Sequence, residues 1–219
     1  MFRVKICGIT TVDDAQLVAR AEADAVGLNF FPKSPRCITP AIAERIVQSL
    51  PEDVVKVGLF VNADADEILG ACELLGLDMI QLHGDERPEY LASLGKWPIL
   101  RAFRLGPGGL NPIAEYLREC HHLGCSPAMV LIDSLVKGAY GGTGKRADWT
   151  VASQYPLEDG SPPLALAGGL TADNVADAIR AVKPFAVDTA SGVESSPGRK
   201  DPKAVTTFVE RARRAFGDE

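Results

Sequence analysis

Short apolar segments alternate with amphipathic ones eight times along this chain, and few folds accept that rhythm. Val4-Lys5-Ile6-Cys7 suits a first strand, because Val4 and Ile6 fall on one side and Lys5 and Cys7 on the other under period-two alternation. Apolar positions then recur with helical spacing over 11–23, with Thr10 or Thr11 as cap and Asp13 and Asp14 in the first turn. The pattern predicts further strands over 25–30, 54–60, 79–82, 99–103, 129–132, 164–167 and 185–187. The intervening helices are expected over 41–50, 66–75, 88–94, 112–120, from near 149, and over 173–182 and 202–216. No strands follow one another as hairpins would. Eight strand-helix units without a second domain in 219 residues favour a single-domain (β/α)8 barrel, a TIM barrel over 1–219, above the rival doubly wound open sheet.

Composition narrows the function. A formal charge of −6 with no basic block argues against a nucleic-acid surface. No stretch has the length of a membrane span, and Met1-Phe2-Arg3 runs into the first strand without a signal-peptide apolar region, so a cytoplasmic protein is expected. Five cysteines without paired short spacings point to reduced thiols rather than a disulfide framework.

In such a barrel the strands' carboxyl ends converge on one face, which makes the loops after them the place for chemistry. Cys7 ends the first strand, where Gly8 lets the chain turn sharply. The second loop, Phe31-Pro32-Lys33-Ser34-Pro35-Arg36, uses two prolines to restrict the direction of a guanidinium able to clamp a carboxylate. The fourth strand ends Gln81-Leu82-His83-Gly84, and His83 fits a general base as well as a structural or substrate-contacting role. The sixth ends in Asp133 after four apolar residues, where desolvation disfavours a carboxyl group's charge and suits a general acid. The glycines of 138–145 suggest a P-loop, but the spacing to Lys145 is one residue too long, so a lid with glycine hinges fits better. The last two loops, Gly168-Gly169-Leu170-Thr171 and Ser191-Gly192-Val193-Glu194, place glycine at strand ends and offer backbone N–H groups to an anion. They adjoin where barrels commonly hold phosphate.

Taken together, Ile6-Cys7-Gly8-Ile9-Thr10, Phe31-Pro32-Lys33-Ser34-Pro35-Arg36, Gly58-Leu59-Phe60-Val61, Gln81-Leu82-His83-Gly84, Gly141-Gly142-Thr143-Gly144-Lys145, Ala167-Gly168-Gly169-Leu170 and Ser191-Gly192-Val193-Glu194 resemble the phosphoribosylanthranilate isomerases of tryptophan biosynthesis. The resemblance spans essentially the whole chain. It implies an Amadori rearrangement of N-(5-phosphoribosyl)anthranilate to 1-(2-carboxyphenylamino)-1-deoxyribulose 5-phosphate, with no metal and no organic cofactor. It further implies that Cys7 is the general base, Asp133 the general acid, Arg36 the partner of the anthranilate carboxylate, and Gly169, Ser191 and Gly192 the phosphate contacts. His83 and Asp188 join the expected substrate site. The expected partner is a small phosphosugar, with no nucleic acid or membrane, for a monomer or homodimer.

Two segments depart from the family pattern. Thr189 and Ala190 precede Ser191 where a further serine is usual, removing one possible hydroxyl contact, and Cys120-His121-His122-Leu123-Gly124-Cys125 reads as a surface helix end, its ligands too crowded for tetrahedral zinc. The residues themselves add one expectation. Lys5 is an inward charge that demands a partner, and closure would make the first and eighth strands neighbours. A Lys5–Asp188 pair beneath the site is therefore predicted, positioning Cys7 and favouring its thiolate with help from the start of the first helix. A ribulose-phosphate epimerase lacks support, because the metal-binding histidines are missing, and a histidine-pathway second substrate would need a second phosphate station. A catalytically silent phosphosugar-binding barrel is the alternative, against which Cys7 and Asp133 both speak.

Overall fold

Alternation along each strand sorts side chains between two cores, and burying both at once requires the sheet to close. The computed structural model describes residues 1–106, 108–133, 149–156 and 160–217. The strands are β1 (Val4–Cys7), β2 (Ala25–Asn29), β3 (Val55–Phe60), β4 (Met79–Leu82), β5 (Ile99–Arg104), β6 (Met129–Asp133), β7 (Leu164–Leu166) and β8 (Ala186–Thr189). They form a closed parallel barrel in sequence order, sealed by β1 on β8 with Lys5 opposite Asp188 and Ile6 opposite Thr189. That seam rules out the open sheet. Around it lie α1 (Val12–Arg20), α2 (Pro40–Ser49), α3 (Ala65–Leu75), α4 (Pro88–Ser93), α5 (Asn111–His122), α6 (Trp149–Ala152), α7 (Val175–Val182) and α8 (Pro202–Gly217).

Outward strand residues such as Val4, Ile6, Val26, Leu28, Val130 and Ile132 pack against the helices, meeting Val18, Ile46, Ile68, Ile179 and Phe208. Inward residues Ala25, Val57, Met79, Leu100, Met129, Leu131, Ala165 and Ala186 fill the lower barrel together with Phe2. Each such fully buried Val, Leu or Met contributes roughly 1.5–3 kcal/mol relative to exposure. Polarity appears higher up the same inward positions. Lys5, Gln81 and Asp188 come next, and Cys7, His83 and Asp133 come last, all buried.

Several boundaries differ from the sequence reading. The first helix stops at Arg20 because Glu22 turns left-handed (φ 62), and its N–H and that of Ala23 donate to the Ala19 and Val18 carbonyls in a Schellman ending. Pairing with β1 carries β8 on to Thr189 instead of stopping at Val187. A turn of 3-10 helix, Ser191–Val193, and a two-stranded antiparallel ribbon, β9 (Glu194–Ser196) with β10 (Arg199–Lys200), were not expected. In the 120–125 segment, Cys120 is fully buried in α5 while His121 and His122 are exposed. Among the described residues no group of His, Cys, Asp and Glu is arranged to hold a metal, and no helix is long and apolar enough to cross a membrane. The 138–145 loop lies outside the described residues.

Candidate active site

Cys7 reaches the barrel mouth because β1 must place every second side chain inward, and its neighbours there are Leu59, Val61, Phe31 and Ala190. Gly27 stands opposite it on β2, where a Cβ would come within 2.6 Å of the sulfur. Beyond Cys7 the chain turns as the Gly8 and Ile9 N–H groups donate to the Gly27 carbonyl at 2.9 and 3.0 Å. Thr11 caps α1 by accepting from the Asp14 N–H, whereas the Thr10 hydroxyl donates to the Gly198 carbonyl at 2.5 Å.

The Lys5–Asp188 pair forms as expected, with Lys5 Nζ 2.7 Å from Asp188 Oδ1 and the lysine fully buried. Burial alone would lower the lysine's pKa, but the charge of Asp188 and that of the neighbouring Cys7 overcome it and hold it above its ordinary value. The expected consequence for the thiol needs correction. Burial pushes Cys7 up, and although Lys5 and Lys200 pull it down while Asp188 pushes the other way, the net direction is upward. Desolvation outweighs the ammonium beside it. Asp188, grouped with the substrate contacts by sequence, has its carboxylate on Lys5 beneath Cys7.

Arg36 also differs from expectation. Asn29 organises its loop, accepting from the Phe31 N–H and donating to Ser34 Oγ, which in turn accepts from the Arg36 N–H. The guanidinium is already engaged in a bidentate pair with Glu194, through Nε at 2.8 Å and NH2 at 2.6 Å. Glu194 also receives Lys200 Nζ at 2.9 Å. Burial raises the Glu194 pKa, yet Arg36 and Lys200 together bring it below the ordinary carboxylate value. Neither Glu194 nor Lys200 was read from sequence as part of this arrangement; the Pro197-Gly198 turn between their short strands was the signal available.

His83 and Asp133, on different strands, come together with Nε2 3.5 Å from Oδ2. The other ring nitrogen, Nδ1, lies 3.1 Å from Gln81 Nε2, so with that amide donating the imidazole carries its hydrogen on the side of Asp133. The loop bearing His83 is held from behind by Arg101, which donates to the Leu82, Ala102, Gly84 and Glu86 carbonyls and lies against both the Phe103 and Tyr116 rings. Glu86 completes that support by accepting from the Asn62 and Gly84 N–H groups. Arg101 and Glu86 were likewise missed, Arg101 because period-two reading of β5 sends it away from the barrel interior and Glu86 because it lies in the loop after β4, where no periodicity applies.

The last two loops interlock. Gly168 and Gly169 have positive φ (91° and 67°), and Asn174 ties the turn by donating to the Gly169 carbonyl and accepting from the Thr171 N–H. Gly192 lies so close to the Leu170 carbonyl that any Cβ would collide with it. The Thr189 hydroxyl donates to that same carbonyl at 2.7 Å, so the departure at Thr189 serves the loop-to-loop contact rather than an open anion cradle. Ser191 and Gly192 open the 3-10 turn, whose own hydrogen bonds leave their N–H groups unused. Gly169, Ser191 and Gly192 thus form one contiguous corner.

Comparison with known proteins agrees with this geometry. Residues 4–211 match the family described as N-(5'phosphoribosyl)anthranilate (PRA) isomerase. An N-(5'-phosphoribosyl)anthranilate isomerase of Citrifermentans bemidjiense is 44% identical, covering 98% of each chain, and one of Pseudomonas paraeruginosa is 45% identical, covering 99% of this chain and 98% of its own. Among solved structures, phosphoribosyl anthranilate isomerase from Thermotoga maritima superposes with a TM-score of 0.85 at 38% identity, covering 98% of this chain and all of that one. A further phosphoribosyl anthranilate isomerase structure, a complex with reduced 1-(o-carboxyphenylamino)-1-deoxyribulose 5-phosphate, gives 0.82 at 35% identity over 98% of this chain and 100% of that one. From β1 to α8, then, the chain belongs to the N-(5'-phosphoribosyl)anthranilate isomerase family.

Proposed function

We propose that this isomerase of tryptophan biosynthesis works as one barrel unit in the cytoplasm, with Cys7 as general base and Asp133 as general acid. Asp133 gives its proton to the furanose oxygen as the anilino nitrogen's lone pair opens the C1–O bond to a Schiff base. The C2 hydrogen, acidified by that Schiff base, passes as a proton to the Cys7 thiolate, the minor form of a thiol that burial raises and Lys5 opposes, and the C–H electron pair forms the enolamine. Tautomerisation then yields the ketone of the product. Both proton transfers belong to side chains, and the reading needs neither metal nor organic cofactor. NH1 of Arg36 receives the anthranilate carboxylate, while the Gly169, Ser191 and Gly192 N–H groups receive the phosphate. His83 orients Asp133 from the pocket wall, and Asp188 acts through Lys5.

The observation that carries this reading is the placement of Cys7 and Asp133. Both lie at inward positions on the carboxyl ends of their strands, each only 5% exposed, with the interlocked β7 and β8 loops on the same rim. The relative complexed with a reduced carboxyphenylamino-deoxyribulose phosphate supports a phosphosugar ligand. A Thermotoga maritima relative is described as dimeric and also obtained as monomers, which fits either state here.

The test follows the fluorescence of phosphoribosylanthranilate, generated in place because the compound is labile. The parent chain should consume it, and Cys7→Ser and Asp133→Asn should each lower turnover by about 10²–10⁴-fold with unchanged circular dichroism. Near-parental turnover in either variant removes that residue's role. A flat trace from well-folded parent protein returns the silent binding barrel.

A further inference from the structure

Three assignments sit on three separate segments: the base at the end of β1, the carboxylate clamp after β2 and the part of the phosphate corner that follows β8. One buried pair touches all three. Lys200, its side chain fully buried on β10, donates to the Cys7 carbonyl at 2.7 Å, to the Ala190 carbonyl at 3.2 Å and to Glu194 at 2.9 Å. Glu194 takes two donors of Arg36, and among the described residues NH1 makes no hydrogen bond. The Arg36 stem packs over Gly8, where a Cβ would collide with it, so the clamp also rests directly on the turn that follows the base.

We propose that Glu194 and Lys200 are positioning residues that set the register between the carboxylate, the phosphate and the base. Glu194 decides which edge of Arg36 faces the substrate. A guanidinium held through Nε and one hydrogen of Nη2 cannot rotate, and its remaining donors, two on Nη1 and one on Nη2, line a single edge, so an arylamine carboxylate meets that edge in one direction. Lys200 fixes the distance. Its three donors join the carbonyl of the base itself, the carbonyl next to Ser191 and the carboxylate that aims Arg36. A ligand anchored at its carboxylate and its phosphate is thereby suspended with its reacting carbons at a height defined by Cys7. Exposed lysines cannot do this, because each donor exchanges with water; a buried ammonium must satisfy all three and so locks them together. The ribbon has a structural consequence too. Thr10 on Gly198 and Asp14 Oδ2 accepting from the Lys200 N–H at 3.3 Å tie it to loop one and α1, so the three anchors move as one body.

The proposal rests on the roles given above to Cys7 and Arg36, and its test is kept separate from theirs. Binding is measured by calorimetry with two probes, reduced 1-(o-carboxyphenylamino)-1-deoxyribulose 5-phosphate, which has both anchors, and ribose 5-phosphate, which lacks the carboxylate. Glu194→Gln should weaken the first at least about tenfold, through loss of the bidentate hold, and leave the second within about twofold. Lys200→Met should lower kcat by about 10²-fold through a displaced base, with a smaller change in KM. If Lys200→Met fails to fold because Glu194 loses a partner, the double variant Glu194→Gln/Lys200→Met removes both charges and should show the two effects together. Equal weakening of both probes by Glu194→Gln, parental kcat in the Lys200 variants, or losses that merely track the melting temperature would each overturn the proposal. Failure of Cys7→Ser to affect turnover would instead strike the assignment of the base.

Discussion

A lysine with no exposure beneath the Cys7 thiol sets the residue-level expectations. Removing one member of a buried ion pair strands the other, so Lys5→Met should destabilise the protein by about 3–5 kcal/mol in urea titration. Replacing Asp188 by Leu in the same chain should recover much of that loss. Cys7 lies above its ordinary value of 9.0, with burial the main cause and Lys5 the largest opposing one. Its thiolate therefore accumulates only as pH rises past 9.0, and its iodoacetamide alkylation rate should still climb where a free thiol's has levelled. In Lys5→Met that profile should move further to alkaline pH. The sign for stability follows: a thiol raised in the folded state contributes fully below 9.0 and loses that contribution as pH rises through the folded value. The Lys5–Asp188 pair was legible because alternation and closure together dictate it. The Arg36 partner was not, since Glu194 lies 158 residues away on a ribbon that no periodicity announces.

Helix ends carry the expectations at the scale of elements. α3 and α7 both end on a left-handed residue, Gly76 with φ 61 and Lys183 with φ 50. A Cβ at Gly76 would touch nothing, so Gly76→Ala isolates backbone strain and should cost about 1 kcal/mol. Lys183→Gly relieves the strain at the other end and should stabilise by a few tenths to about 1 kcal/mol, offset in part by glycine's greater freedom when unfolded. Thermal melts of the two variants should shift in opposite directions. Helix starts were read well, as with Thr11 and with Pro88 at the head of α4, because capping chemistry is local. Ends were read less well, since Glu22 gives no warning that it will adopt the conformation glycine usually supplies. The 3-10 turn after β8 depends on Leu170 pressing against Gly192, which adjacency in sequence does not reveal.

For the whole molecule, closure makes the last helix a structural partner of the first strand. α8 packs on α7, α1 and β1, with Phe208 fully buried against the outer core. Phe208→Ala should cost about 3–5 kcal/mol by urea unfolding while the folded fraction keeps parental KM, because the cavity opens behind the barrel and not in it. A raised KM at full folding would show that the two cores are coupled.

What the sequence determined alone follows from short-range physics. Alternation put Lys5 and Cys7 on one face, the end of an apolar strand marked Asp133, helical spacing placed the eight outer segments, and turn chemistry marked the loops after β2, β7 and β8. The tertiary structure decided which distant groups compete for the same partner. It gave Arg36 to Glu194, Lys200 to the Cys7 carbonyl, His83 to Asp133, and the thiol to its burial rather than to the neighbouring ammonium. Those outcomes depend on desolvation and on donors and acceptors meeting across the barrel mouth, quantities that exist only once the β1–β8 seam has closed.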